Sequence, residues 1–116
     1  MTALPDRPIL IEHNPKRVTV RFNGQQIAST THALTLREGS YPPVQYIPRQ
    51  DVDMSLLTRT AHTTHCPYKG DAAYYSVQVG AREAANAVWT YEQPFPKVEE
   101  IKAYLAFYPD RVELGE

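Results

Sequence analysis

The chain has 116 residues, of which 42% are hydrophobic and 22% charged, and its formal net charge is −1. This length fits one compact domain, and this composition excludes wholesale disorder. Because the 12 basic residues are spread along the chain without a basic block, the sequence predicts no nucleic-acid partner.

The numbers of cysteines, prolines and tyrosines further narrow the class of protein. One cysteine excludes an intramolecular disulfide and a four-cysteine zinc site, and it favours a reducing compartment. Ten prolines disfavour long helices, and eight tyrosines suit partly wet clefts and interfaces. The apolar patch at residues 9–11 is too short for a signal-peptide core or a membrane span. We therefore expect a soluble, cytoplasmic protein with no membrane partner.

The first predicted elements are an arm and a hairpin. Three prolines within residues 1–15 predict an extended N-terminal arm, followed by a single domain over residues 16–116. Apolar and polar residues alternate over residues 17–22, which is typical of a half-buried strand. Asn23-Gly24 then tolerates positive φ at two successive positions, so we predict a β-hairpin that returns over residues 25–29.

Short elements are predicted for the middle of the chain. Residues 34–39 and 44–47 read as brief strands, the second stopped by Pro48. Asp51 is placed to cap a helical turn over residues 52–57, since its carboxylate accepts hydrogen bonds from free amides at a helix start.

The last part of the chain predicts a second hairpin and one helix. Residues 72–79 and 84–91 are rich in strand-forming residues and flank a Gly-Ala turn. A short C-terminal helix is indicated from Pro96, with apolar residues at helical spacing up to Leu105. The predicted fold is mainly β, and α+β at most: a small, strongly curved antiparallel sheet or barrel-like domain with one short C-terminal helix.

Residues 64–71 are the most site-like segment. They carry a thiol, an imidazole, a phenol, an ammonium and a carboxylate on a stretch shaped by Pro67 and Gly70. We therefore expect a loop that presents these groups.

Cys66 is a candidate nucleophile with His65 or His62 as its base, because the thiolate is the attacking form. Adjacent residues on an extended chain point in opposite directions, so a buried, inert Cys66 is the preferred interpretation. His62, His65 and Cys66, with His32 as a distant fourth, are considered as metal ligands, but they lack the paired spacing of zinc sites. We therefore predict neither a metal nor a cofactor. His65 and Tyr74 remain the candidate proton donors, the alternative for His65 being a hydrogen-bonded anchor between strands.

Arg49 and Lys69 are the candidate ligand-binding cations, since each lies in a proline-punctuated segment beside tyrosines. The equally weighted alternative is that Arg49 pairs with a nearby aspartate and Lys69 is exposed. Further predicted ligand-binding residues are Tyr46, Tyr68, Trp89 and Asp51. Trp89 and Tyr91 fall on one face of a strand, either as a wall of the same cleft or as core.

Four ordered blocks resemble one known family, namely Tyr46-Ile47-Pro48-Arg49-Gln50-Asp51-Val52, Thr64-His65-Cys66-Pro67-Tyr68-Lys69-Gly70 with Ala73-Tyr74, Ala87-Val88-Trp89-Thr90-Tyr91, and Tyr104-Leu105-Ala106-Phe107-Tyr108. The family is the bacterial and fungal domain of unknown function 427, which also carries a nucleotidyltransferase label. The resemblance implies a compact, mostly β single domain and no settled activity. Against the label, Asp51 and Asp53 are the only close acidic pair outside the C-terminal helix and tail, and no glycine-rich phosphate loop is present.

The leading functional hypothesis is a domain that binds a small polar or anionic metabolite, or performs acid–base chemistry on it, in a pocket lined by tyrosine, arginine and lysine. One alternative is a structural or protein-interaction module, with a homo-oligomer as one form. Another is a metal-dependent nucleotidyltransferase. Convergence of the tyrosines into a hollow favours the first hypothesis, and a flat tyrosine patch favours the second. Whether the chain is an enzyme stays open.

Overall fold

The computed structural model describes residues 8–115, which form ten β-strands and three 3-10 helices. The strands in chain order are β1 (Ile9–Asn14), β2 (Val18–Phe22), β3 (Gln25–Thr30), β4 (Ala33–Glu38), β5 (Val44–Tyr46), β6 (Leu57–Cys66), β7 (Gly70–Val79), β8 (Arg82–Tyr91), β9 (Leu105–Phe107) and β10 (Glu113–Gly115). The 3-10 helices span Arg49–Asp51, Met54–Leu56 and Pro96–Ile101. The predicted mainly β class is confirmed.

All strand pairs are antiparallel, as predicted, and they are divided over three sheets. The sheet orders are β1-β4-β5, β10-β2-β3 and β6-β7-β8-β9, with no closed barrel among residues 8–115. β6 is an outer strand of the four-stranded sheet, and its pairing with β7 shifts register between Arg59 and Thr63.

Part of the predicted N-terminal arm is a strand. β1 pairs with β4 from Ile9 opposite Glu38 to Asn14 opposite Ala33. The apolar residues Ile9 and Ile11 are half-buried and pack against a core cluster, and this burial stabilises the segment in the sheet. The first seven residues of the predicted arm lie outside the described residues.

Both predicted hairpins are confirmed. Asn23 and Gly24 have φ of 50° and 78°, the backbone needed for a tight turn between β2 and β3. β7 and β8 pair through a turn at Gly80, whose φ is 59°.

The predicted helices differ from the observed ones in type and in capping. The helical turn predicted over residues 52–57 is observed as the 3-10 helix Met54–Leu56, and it is capped by Asp53, whose carboxylate accepts from the Ser55 amide. Asp51 is not its cap but the last residue of a separate 3-10 helix, Arg49–Asp51. The C-terminal helix is a 3-10 segment interrupted at Val98, where φ is −122° and ψ 28°. Six residues without a side-chain cap are too few to propagate an α-helix on their own.

The four-stranded sheet carries core residues on both faces. Tyr75, Val77 and Val88 belong to one apolar cluster, which also includes Ile27, Ile47 and Leu105. Tyr74 and Tyr91 belong to a second cluster, which also includes Leu36, Tyr46, Ala72, Val98, Ile101 and Ala106. Because side chains alternate along a strand, the neighbours Tyr74 and Tyr75 lie on opposite faces of the sheet.

Substitution of a fully buried β9 side chain tests the first cluster. Leu105 is 0% exposed, so Leu105→Ala is expected to lower the free energy of unfolding by about 2–5 kcal/mol, through lost burial and the cavity left behind. The matched control is Leu10→Ala, because Leu10 is 55% exposed and its loss is expected to stay within about 0.5 kcal/mol. Urea unfolding measures both, and equal losses would contradict this packing.

Candidate functional site

A cavity of about 210 Å³ lies between the four-stranded sheet and the β4–β5 pair. Four tyrosines, one tryptophan and two charged residues dominate its wall. The lining residues are Leu36, Glu38, Val44, Tyr46, Lys69, Tyr74, Trp89, Tyr91 and Tyr108. We refer to this hollow as the tyrosine cavity.

The charged pair of the tyrosine cavity is a buried salt bridge between Lys69 and Glu38. Lys69 Nζ donates to Glu38 Oε1 at 2.5 Å, and the two side chains are only 10% and 11% exposed. An isolated buried charge costs several kcal/mol, so each group compensates the burial of the other. The pair brings no net charge to the cavity wall.

The turn that presents Lys69 is fixed by backbone contacts. The Lys69 amide donates to the carbonyl of Cys66 at 3.3 Å, and the Phe95 amide donates to the carbonyl of Lys69 at 2.9 Å. Gly70 follows with φ of 118°, a conformation that side chains rarely adopt, and a Cβ there would lie 3.4 Å from the carbonyl oxygen of Gln93. The predicted loop over residues 64–71 is wrong for most of its length, because residues 64–66 belong to β6 and residues 70–71 to β7. Only residues 67–69 form a tight turn between the two strands.

Tyr46 and Trp89 form one wall of the cavity. Trp89 Nε1 donates to Tyr46 Oη at 3.3 Å, and the two rings meet edge to face at 6.3 Å between centroids. Burial raises the pKa of Tyr46 well above its ordinary value, although the hydrogen bond from Trp89 acts in the opposite direction. At neutral pH Tyr46 is therefore a neutral phenol.

A chain of hydroxyl groups enters the cavity from β6. Thr64 Oγ1 lies 3.0 Å from Tyr74 Oη, and Tyr74 Oη lies 3.2 Å from Tyr108 Oη. The Tyr108 ring also packs on Trp89 at 4.5 Å between centroids. Burial and the hydrogen bond to Tyr74 raise the pKa of Tyr108, and burial raises that of Tyr91. The phenols Tyr91 and Tyr108 thus stay protonated and able to donate hydrogen bonds.

A second hollow of about 500 Å³ adjoins the tyrosine cavity. The two share Glu38, Val44, Lys69 and Trp89 as wall residues. The rest of its wall is largely apolar and consists of Tyr41, Pro42, Pro43, Gln45, Cys66, Phe107, Pro109 and Leu114. We refer to it as the outer hollow.

The structure brings four of the nine predicted site residues to the tyrosine cavity and a fifth to the outer hollow. Lys69, Tyr46, Tyr74 and Trp89 line the tyrosine cavity, and Tyr91 lines it with Trp89. Cys66 is a half-buried residue at the end of β6 and lines the outer hollow.

Arg49 is not brought to Lys69, which corrects the expected pairing of the two cations. Its guanidinium lies over the ring of Tyr75 at 5.7 Å, and Nη1 lies 3.4 Å from Tyr75 Oη. Tyr75 and Tyr74 point to opposite faces of β7, so Arg49 and the tyrosine cavity lie on different sides of the sheet.

Three further predicted residues lie away from the cavity wall. Asp51 accepts a hydrogen bond from Thr30 Oγ1 at 2.7 Å and lines a different hollow, beside residues of β3. His65 is exposed, and its Nδ1 pairs with Asp71 at 2.6 Å across the β6–β7 ladder, which matches the alternative of a strand anchor. Tyr68 is half-buried in the turn before Lys69 and is not among the cavity-lining residues of the described chain.

Glu38 and Tyr108 are the cavity residues that sequence reasoning missed. A signal for Glu38 was present, because it follows Leu34 and Leu36 at the same period of two on β4. A carboxylate at an inward position of a strand requires a buried partner. No comparable local signal marks Tyr108, which lies in the turn after β9.

Two negative observations hold for residues 8–115. No three side chains among the histidines, cysteine, aspartates and glutamates described are close enough to hold a metal ion. No helix in that range has the length and apolar character needed to cross a bilayer.

The model of the domain of unknown function DUF427, labelled NTP_transf_9, matches residues 10–116. The chain therefore belongs to the DUF427 family, as the four sequence blocks indicated. The label is a family name and assigns no reaction to any residue of this chain. No curated protein matches the chain.

The coupling within the salt bridge is testable by a double-mutant cycle. Lys69→Met leaves the Glu38 carboxylate buried without its cation, so the free energy of unfolding is expected to fall by about 3 kcal/mol. Glu38→Gln is expected to destabilise in the same way, and the double variant to lose clearly less than the sum. Urea unfolding gives all the values, with exposed Lys97→Met as the control. Additive losses would contradict a coupled pair.

The raised tyrosine pKa values predict a loss of stability in alkali. Tyrosines of the unfolded chain ionise near pH 10, whereas Tyr46, Tyr91 and Tyr108 hold their protons longer in the fold. The unfolded state therefore loses protons first, and the free energy of unfolding falls as the pH rises above about 10. Each such tyrosine contributes a slope of about 1.4 kcal/mol per pH unit.

Tyr91→Phe isolates one of these contributions. Between about pH 9 and about pH 11 the variant is expected to lose about 1.4 kcal/mol less stability in total than the wild type, because the tyrosine of the unfolded chain is half ionised near pH 10. Urea midpoints between about pH 9 and about pH 11 measure the difference. Parallel curves for the two proteins would show that Tyr91 has the same pKa in both states.

Proposed function

We propose that this domain binds a small molecule whose polar group occupies the tyrosine cavity. The observation that carries the proposal is the convergence of a buried Lys69–Glu38 pair with four phenols and an indole around one hollow. Hydrophobic walls with a few convergent polar groups are typical of ligand sites. The tyrosines meet in a concavity rather than on a flat patch, which favours ligand binding over a protein-interaction module.

We propose a neutral or zwitterionic polar group in this cavity rather than an anion. Glu38 cancels the charge of Lys69 at 2.5 Å, and Arg49 does not reach the cavity to supply a second cation. An added carboxylate or phosphate would compete with Glu38 for one ammonium group. A carbonyl, amide or hydroxyl group can instead accept from the Tyr91 and Tyr108 phenols without a cost in charge.

The outer hollow supports a ligand with an apolar part. The tyrosine cavity has the volume of about seven water molecules. A larger ligand must therefore extend past Lys69 and Trp89. The wall beyond them includes Pro43, Phe107 and Leu114, which favour an apolar substituent. The ligand class is therefore a small amphipathic molecule.

The same geometry supports acid–base chemistry if the bound molecule reacts. Glu38 is the charged acceptor of the cavity and the candidate base. Tyr108 is the candidate proton donor, and the hydroxyl chain through Tyr74 to Thr64 provides a path for its proton to be replaced. A cytoplasmic location, favoured by the single cysteine, remains part of the proposal.

Trp89 provides a direct readout, because it is the only tryptophan of the chain and lines both hollows. The probes are primary amides, alcohols, amino acids and carboxylic acids, each with and without an apolar substituent. We expect the neutral and zwitterionic compounds that carry an apolar substituent to change Trp89 fluorescence saturably. Tyr108→Phe removes one hydrogen-bond donor and is expected to weaken binding by about three- to tenfold.

Two controls make the titration decisive. Tyr68→Phe removes a phenol that lines neither hollow and is expected to leave the affinity for the amphipathic compounds unchanged. Urea unfolding of each variant shows that the fold is retained. A panel in which no compound changes Trp89 fluorescence, or in which Tyr108→Phe binds like the wild type, would contradict the proposal.

A further inference from the structure

A third hollow, which shares no lining residue with the tyrosine cavity or the outer hollow, is bordered by positive charge. It measures about 490 Å³ and lies between two chain segments, residues 48–50 and 102–104, with His32 at its side. Its lining residues are His32, Pro48, Arg49, Gln50, Lys102, Ala103 and Tyr104. We refer to it as the cationic hollow.

The two segments are held in place by the backbone. Ile47 and Leu105 exchange two hydrogen bonds of 2.8 Å, one in each direction, and this antiparallel bridge places residues 48–50 beside residues 102–104. Ala103 has φ of 63°, and its amide donates to the carbonyl of Tyr91 at 2.9 Å. A non-glycine residue in this conformation costs of order 1 kcal/mol or more, so the surrounding contacts keep the turn in a strained but defined shape.

The charges around the cationic hollow do not cancel. Arg49 and Lys102 are both lining residues, and no carboxylate is among the described residues of the wall. The Arg49 guanidinium is oriented by Tyr75 and by Met54 Sδ at 3.9 Å, contacts that leave most of its five N–H donors available.

Glu92, whose carboxylate interacts electrostatically with Arg49, is already engaged elsewhere. The charge of Arg49 contributes to lowering the pKa of Glu92, but the larger cause is Arg59, which holds both oxygens of that carboxylate at 2.6 and 2.9 Å. Within residues 8–115, neither Arg49 nor Lys102 forms a salt bridge. The half-buried guanidinium is thus prearranged but not neutralised.

We propose that the cationic hollow binds the phosphoryl group of a small anionic molecule. A planar guanidinium offers two parallel donors to a tetrahedral oxyanion, and Lys102 adds a flexible ammonium from the opposite segment. The amide of the Gln50 side chain supplies a neutral donor on the same wall. This site is independent of the proposed ligand of the tyrosine cavity, so the failure of either proposal leaves the other standing.

The test uses the full chain in low salt and inorganic phosphate, pyrophosphate and acetate as probes. Amide chemical shifts in two-dimensional NMR are expected to move saturably with phosphate and pyrophosphate, first at Gln50, Ala103 and Tyr104. Arg49→Gln is expected to weaken pyrophosphate binding by about tenfold or more. Lys102→Gln, a change at an exposed side chain, is expected to weaken it by about three- to fivefold.

A matched charge change separates a site from general attraction. Lys97→Gln removes one exposed positive charge outside the hollow and is expected to leave the affinity unchanged. The proposal is overturned if Lys97→Gln weakens binding as much as Lys102→Gln, if acetate binds as tightly as phosphate, or if pyrophosphate causes no saturable shift. Because Lys102 is exposed, its variant keeps the test valid even if Arg49→Gln does not fold.

Discussion

The salt bridge between Lys69 and Glu38 is the interaction on which the rest of the site depends. It connects the β6–β7 turn to the end of β4, two places 31 residues apart in the chain, and so closes the tyrosine cavity on one side. The mutual attraction of the two charges offsets the cost of taking them out of water, so a polar wall can persist inside the fold. Its tyrosines then act as neutral donors, which sets the kind of ligand that fits.

The alternation of side chains along β7 divides the molecule into two chemical environments. Tyr74 faces the tyrosine cavity, whereas Tyr75 faces the other side and orients Arg49. As a result, the two cations that stand out in the sequence serve different surroundings, one neutralised by a carboxylate and one without such a partner. One strand thereby separates a neutral cavity from a cationic hollow, and each has its own expected ligand.

How much of this fold the sequence predicts depends on how far apart in the chain the interacting residues lie. The β2–β3 hairpin was predictable because Asn23-Gly24 fixes the turn within two residues, and the β7–β8 hairpin because its strands are adjacent. The Lys69–Glu38 pair was not predictable, since Glu38 belongs to one sheet and Lys69 to a turn of another, and only the packing of those sheets brings them together. The expectation that Arg49 joins Lys69 in one pocket is not met, because proximity to tyrosines in sequence does not fix the face on which each tyrosine lies.

The β6 strand has a consequence for how copies of this protein behave in concentrated solution. Ten residues long and paired with β7 on only one side among the described strands, it presents a free row of backbone donors and acceptors. Such a row is a template for cross-β aggregation when it is flat. The register shift between Arg59 and Thr63 interrupts the ladder and increases the local twist, while the charged Arg59 side chain stands on the same edge. The irregularity in β6 thus makes this edge a poorer template for pairing with another copy.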